Sequence, residues 1–432
     1  MMTEPAVADR TASRRAIEAL RSGVPNRDAV SQLRCSHPDI EQKFDELLDG
    51  VNRSLNDSRQ TQGLLVSGVF GSGKSHLLHY LGHIALDKGF AVSKVTISKE
   101  TPLSDPAKFF SAAANELQVP GRVGSGLVNV AYAVDRRSHG FGEFFHWADP
   151  AQSSLPAQFA SSLYVFQNGG DQEFNDRIVR FWAGDRLTNA ELTQKLRLLG
   201  QQATYRLQKL PPNRELAVQR FRFASRLIAA AGHKGWILLV DEVELVGQYS
   251  FKQRARSYAE LARWLGKLDD SNDGVFPGIG AVLAITENFA LEVISGGKTD
   301  SETIGGRLRA SAREDDHFLA TRAERGMRAI TQNAVRLERP TADHVQQTRK
   351  RILEIYRHAF GCSPDWPANL PAVAPHMGQT DVMRTFVRRW ITEWDLLRLY
   401  PNDQPDVEMQ ALGPDTYRED RELDPGDEPA PE

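Results

Sequence analysis

Residues 68–75, Gly68-Val69-Phe70-Gly71-Ser72-Gly73-Lys74-Ser75, fit the pattern G-x-x-x-x-G-K-[ST]. Chemistry on a polyphosphate needs these residue types at this spacing. Gly68, Gly71 and Gly73 let the backbone wrap closely round phosphate oxygens. The amides of the loop, Ser72 included, then donate to those oxygens, aided by the positive end of the following helix. Lys74 is expected to bridge the β- and γ-phosphates and Ser75 to hold Mg2+, so the implied ligand is ATP. A glycine turn with an incidental lysine is the bland alternative. It is disfavoured because an apolar run precedes the loop and an amphipathic run follows it.

Hydrolysis needs a carboxylate for the metal and a base for water. Asp241 and Glu242 end the apolar run Trp236-Ile237-Leu238-Leu239-Val240 and supply both. Asp241 is expected to meet Mg2+ directly or through its waters, and Glu242 to polarise the attacking water. Val130-Ala131-Tyr132-Ala133-Val134-Asp135 is a competing strand-like run with a terminal acid, but it lacks the second carboxylate. A later run, Ile279 to Ile285, ends in Thr286-Glu287-Asn288, which places Thr286 first and Asn288 second as polar groups between the γ-phosphate and water. Arg322, Arg325 and Arg328 precede a short fifth strand and are candidates to complete the site from a neighbouring subunit, Arg328 foremost. Arg384, opening a late helix, is placed to reach ATP from a lid.

The elements that must hold these groups follow from periodicity. Arg14 to Leu33 reads as helix, turn at Gly23-Val24-Pro25-Asn26, and helix; Ile40 to Leu55 is a further amphipathic segment. Strands are expected at 63–67, 90–98, 236–240, 279–285 and 334–337. Leu77, Leu78, Leu81, Ile84 and Ala85 recur at helical spacing behind the loop. Residues 102–232 interrupt the alternation with an aromatic-rich, mostly helical passage that includes Phe141, Phe159, Phe166 and Trp182. Helices 342–360 and 380–399 follow. Strands apolar throughout and separated by helices imply a parallel α/β sheet covered on both faces, with ligands at the carboxyl ends of its strands. The domain reading is an N-terminal helical lead-in at 1–60, an ATPase core at 61–101 and 233–340, an insertion at 102–232, a lid at 341–400 and a tail at 401–432.

Composition narrows the setting. The 432 residues are 41% hydrophobic and 25% charged, as in a globular protein. No apolar run is long enough for a membrane span, and residues 1–15 carry no signal-peptide core. Two distant cysteines, Cys35 and Cys362, suit a reducing cytoplasm rather than a disulfide framework or zinc. The tail from Pro401 holds eleven Asp or Glu and two Arg, a charge of −9, which leaves +6 for the body against the total of −3. Such a tail is expected to be disordered and solubilising; the mildly basic body permits contact with DNA.

The order of motifs resembles the AAA+ superfamily of P-loop NTPases, especially the origin-recognition and helicase-loader ATPases. More closely, Arg15 to Arg27, Val69 to His76 and Val95 to Thr101 resemble the ATP-binding proteins of bacterial BREX phage-resistance systems, the BrxD type. The resemblance implies a five-stranded sheet in the order 5-1-4-3-2 and a C-terminal helical lid. It also implies a defence role beside a methyltransferase and a phosphatase-like protein, with ATP at a subunit edge of a homo-oligomer. Its residues extend the phosphate loop to His76 and place Val24 and Pro25 in the adenine pocket. Two departures stand out: the long separation of Lys74 from Asp241, and no room for a winged-helix DNA reader before the acidic tail.

The leading expectation is therefore an ATPase that remodels or gates partner proteins on DNA. The alternatives are a nucleotide-dependent binding module with little hydrolysis, and a DNA-binding protein proper.

Overall fold

Runs of Leu, Ile and Val with no polar face can only be buried from both sides, and the chain uses them as a parallel sheet. The computed structural model describes residues 10–23, 26–33, 37–57, 59–150, 152–153, 155–169, 171–268, 275–338, 341–367 and 383–401. Val24, Pro25, Cys35 and the tail from residue 402 lie outside the described residues.

Three helices lead in: α1 (Arg10–Ser22), α2 (Arg27–Leu33) and α3 (Pro38–Asp57). Then come β1 (Leu64–Gly68), α4 (Lys74–Asp87) and β2 (Ala91–Thr96). Seven helices stand between β2 and the next strand: α5 (Pro106–Asn115), α6 (Leu127–Ala133), α7 (His139–Trp147), α8 (Ala157–Asn168), α9 (Gln172–Ala183), α10 (Asn189–Leu198) and α11 (Asn213–Ala230). The sheet resumes with β3 (Trp236–Asp241), followed by a 3-10 turn at Val243–Gln248, α12 (Phe251–Trp264) and β4 (Ile279–Thr286). A single π turn at Ala290–Ile294, α13 (Asp300–Arg309), α14 (Glu314–Asn333), β5 (Val335–Arg336), α15 (Ala342–Phe360) and α16 (Met383–Leu399) complete the described chain.

All five strands are parallel, in the order β2-β3-β4-β1-β5. From the β5 edge this succession reads 5-1-4-3-2. Pairing is in register at the carboxyl ends: Gly68 lies opposite Thr286, and Thr96 opposite Asp241. The ends of β1, β3 and β4 therefore reach one edge of the sheet together. The run Val130 to Asp135, read above as a possible strand end, is mostly helix α6, with Leu127, Val130 and Ala131 turned inward. An apolar run of that length does not distinguish strand from buried helix.

Three cores share the buried apolar side chains. Beneath one sheet face, Phe44, Leu47 and Val51 of α3 and Leu77, Leu78 and Leu81 of α4 meet Val66, Ile237, Leu239 and Val282. Across the other face, Trp236 and Leu238 belong to a core continuous with the helices that follow β2, including Phe110, Phe159, Phe166, Trp182 and Phe223. The aromatic residues of that passage are thus largely interior. Phe110 stands edge-on to Phe221, and Trp182 to Phe166, with ring centroids 4.8 and 5.0 Å apart. The third core joins Ala16 and Ile17 of α1 to Ile352 and Tyr356 of α15 and Trp390, Ile391 and Trp394 of α16.

A buried polar network fixes the segment after β3. The hydroxyl of Tyr249 donates to the carbonyl of Ser98 at 2.9 Å, while the carbonyl of Tyr249 accepts from Arg254 at 2.8 Å. Arg254 makes a two-pronged ion pair with Asp300, 2.9 and 3.0 Å, and Tyr258 adds a hydroxyl donor at 2.8 Å. Asp300 is fully buried, so the arrangement is tolerable only with every member in place. Asp300→Ala is expected to lower stability by about 3–5 kcal/mol, because it leaves the Arg254 guanidinium buried without its anion. Urea unfolding followed by circular dichroism measures this.

Candidate nucleotide-binding site

The turn from β1 into α4 is made by glycines at positive φ, Gly71 at 76° and Gly73 at 99°. Gly73 is the residue before the first turn of α4, so a left-handed backbone is required where the chain reverses into the helix. Gly68 is restricted by contact instead: an added Cβ would lie 2.7 Å from Ser72 Oγ. The turn aims the helix N-terminus, with its unpaired amides, at a cavity of about 290 Å3.

One side of this cavity is the loop itself, Gly71 through His76. Another is formed by helices from both ends of the described chain: Ala19, Leu20 and Leu33 of the lead-in, His344 and Arg351 of α15, and Met383, Arg384 and Val387 of α16. Glu242 and Glu244 close it from the β3 side. The cavity thus has an amide-rich end, and elsewhere its wall sets apolar side chains such as Leu20, Leu33, Met383 and Val387 among polar ones such as Gln347 and Thr348. Ser72 Oγ is buried and has no hydrogen-bond partner among the described residues. Lys74, 8% exposed, donates to the carbonyls of Gly68 and Val69 at 3.2 and 3.3 Å. These groups fit a polyphosphate: an orphaned hydroxyl, a buried ammonium and a helix N-terminus converge on one place.

Arg384 is brought to the cavity. Its guanidinium lies 5.6 Å from the ring centroid of Phe70 and donates to the carbonyl of Gly23 at 3.1 Å. Gly23 lines the cavity; Val24 and Pro25, which follow it in the sequence, lie outside the described residues. Arg351 lines it from α15 and is anchored on the carbonyl of Gln32 at 2.8 Å.

Beyond β3 the backbone is strained. Glu242 has φ of 58°, rare for a residue with a Cβ, and its amide donates to Asp241 Oδ1 at 3.1 Å. This turn brings the Glu242 side chain to the main cavity and to a smaller cleft of about 60 Å3 that it shares with Thr286 and Asn288. Asp241 lines neither cavity. Its carboxylate is buried and lies 3.4 Å from the ammonium of Lys94 on β2. Lys94 stands 2.8 Å from His79 Nε2, and burial, with that charge next, pushes the imidazole down to about 4. Ser75 and His76 line the cavity, whereas Arg322, Arg325 and Arg328 line neither; Arg328 is exposed on α14.

Three groups here were not anticipated from sequence: Lys94, Arg351 and Glu244. Glu244 is 6% exposed, sits 4.0 Å from Lys74 Nζ and lines both cavities. Burial pushes its carboxyl up to about 7, opposed by Lys74 and reinforced by Glu242 and Asp241. The tight 3-10 turn, in which Leu245 N donates to Glu242 O at 3.1 Å, is what folds Glu244 back under the loop.

A parallel sheet whose first strand turns through a glycine loop into a helix is an α/β, P-loop-like fold, and this edge of it is where such folds hold phosphates. The chain belongs to the family of BREX system ATP-binding proteins BrxC/D, whose family model matches residues 9–130 and 155–410. It is thus an ATP-binding protein of a phage-defence system, acting alongside the other proteins of that system. A search of curated proteins gives no match. Among the described residues no helix is long and apolar enough to cross a membrane.

The raised Glu244 carboxyl ties stability to pH. Between its ordinary 4.5 and about 7 the folded protein keeps a proton that the unfolded chain releases, so stability falls as pH rises through that window. Glu244→Gln removes this contribution. Its stability margin over the wild type, from chemical unfolding, is expected to be larger at about pH 8 than at about pH 5.

Proposed function

We propose that this chain hydrolyses ATP with Mg2+ and couples the cycle to rearrangement of its partner proteins on DNA. One observation carries the reading: the ammonium of Lys74 and the carboxylate of Glu242 line the same cavity, between the sheet edge and the lid. A cation for phosphate charge and a carboxylate for a water proton are the two groups that hydrolysis requires.

Bound ATP supplies the phosphoanhydride bond to be broken. The amides of Gly71, Ser72, Gly73 and Lys74 and the hydroxyl of Ser72 bind phosphate oxygens, with Gly68 giving the loop its close approach. Lys74 Nζ turns from the carbonyls of Gly68 and Val69 to phosphate. The Ser75 hydroxyl and Asp241 would hold Mg2+, which would supply positive charge to the phosphate oxygens, and Asp241 would have to leave Lys94 to do so. Glu242 takes the proton of the attacking water, oriented by Thr286 and Asn288 across the small cleft. Arg384 neutralises phosphate charge from the lid, and His76 lines the pocket. Arg328 on α14 serves a neighbouring subunit's site in an AAA+-like homo-oligomer.

In this reading residues 61–101 and 233–340 are the ATPase core, 102–232 an insertion, 341–400 the lid, 1–60 its lead-in and 401–432 an acidic tail. The protein works in the cytoplasm, and DNA contact is through partners or through the excess positive charge of the body.

A second reading, a nucleotide-occupied switch with negligible hydrolysis, is favoured by one feature. The Asp241 carboxylate is already neutralised by Lys94, so a metal there must displace an ammonium. Two substitutions separate the readings. Lys74→Ala is expected to abolish ATP binding in calorimetry. Glu242→Gln is expected to keep ATP affinity and lose at least about 100-fold in phosphate release. Unchanged, slow release in Glu242→Gln favours the switch, and full turnover in Lys74→Ala overturns the enzymatic reading.

A further inference from the structure

Glu244 is a buried carboxylate to which the roles above assign nothing. One oxygen lies 4.0 Å from Lys74 Nζ, and the other, Oε2, is buried with no hydrogen-bond partner among the described residues. An ionised carboxylate is tolerated there only beside a cation. Lys74 has the complementary difficulty, since a helix N-terminus disfavours positive charge and this ammonium is also buried. The remaining partners of Lys74, the carbonyls of Gly68 and Val69, carry no full charge. Above about pH 7, where the Glu244 carboxyl is ionised, each ion is therefore the other's neutralising partner.

We propose that Glu244 is a positioning residue for Lys74: it stands in for phosphate charge, holds the ammonium against the loop, and gives it up when the phosphates of a nucleotide enter. The inference rests on the loop being the nucleotide site, as proposed above. Phosphate oxygens and the Glu244 carboxylate compete for one ammonium, and like charges close together in a buried site repel. Binding of a di- or triphosphate is thus an exchange of anions on Lys74, and the affinity measured is net of the contact broken. Glu244 also lines the small cleft with Glu242, Thr286 and Asn288, so the exchange frees a second carboxyl beside the groups assigned to the attacking water.

The test is calorimetric titration of the full chain with ATP, ADP and adenosine, without turnover, at about pH 8, above the range of the Glu244 carboxyl. Glu244→Gln keeps the side-chain shape and removes the charge. It is expected to bind ADP and ATP about tenfold more tightly than the wild type, with adenosine affinity unchanged. Glu244→Ala should move both nucleotides in the same direction. ADP and ATP affinities within twofold of wild type, or weaker, overturn the proposal, and so does equal tightening of adenosine, which marks a general repacking of the cavity. A wild type that binds neither ATP nor ADP overturns the reading of the site together with this proposal. A wild type that binds both, with the variants unaltered, overturns this proposal alone.

Discussion

An ammonium buried at the positive end of a helix is the constraint around which this molecule is arranged. Lys74 opens α4, and the left-handed Gly73 before it leaves the chain no gentler way into the helix. Helix polarity and burial both oppose a cation there. The surroundings offset that in layers: two loop carbonyls, then the Glu244 carboxylate, then a cavity fitted to phosphate. The strained Glu242 and the tight turn after it make sense in the same terms, since they carry carboxylates back to the loop rather than onward from β3.

Much of the frame was legible in the residues. The loop at 68–75 and the acids at 241–242 stand out as polar groups ending apolar runs, although of those two acids only Glu242 lines a cavity, and β1 through β5 lie where the apolar patterning places them. Helix 342–360 coincides with α15 because Thr341 caps it and Gly361 ends it in a left-handed turn. Other features depend on turns that no short window encodes. Glu244 reads as an ordinary acid in an amphipathic stretch until the 3-10 turn folds it inward. Lys94 reads as an exposed strand residue, yet the parallel register sets Thr96 beside Asp241 and brings the Lys94 amine to that carboxylate. Arg351 is one of three arginines on α15, and only the packing of α15 against the lead-in turns it to the cavity. The run at 130–135 misleads because buried helix and buried strand share an apolar composition.

The same limit applies to the long passage after β2. Its aromatic side chains, grouped closely in sequence, resemble a sticky surface. In the fold they extend the core of one sheet face, with Phe221 touching Phe110, Trp236 and Trp264. Side chains from these helices thereby join the core on the face of the sheet opposite α4, with α5 packed directly on β2.

The third core has a consequence for how the protein comes into being. Residues 10–33 are made early and residues 342–399 late, yet Ala16, Ile17, Ile352, Tyr356 and Trp394 form one apolar cluster. During synthesis from the N-terminus, α1 and α2 must wait, partly unburied, while more than three hundred residues are added between them and their packing partners. The sheet and the glycine loop after β1 can be complete before α15 and α16 exist. The nascent chain therefore holds an open half-site, and it acquires the enclosed cavity only when its last described helices have emerged and closed over the first.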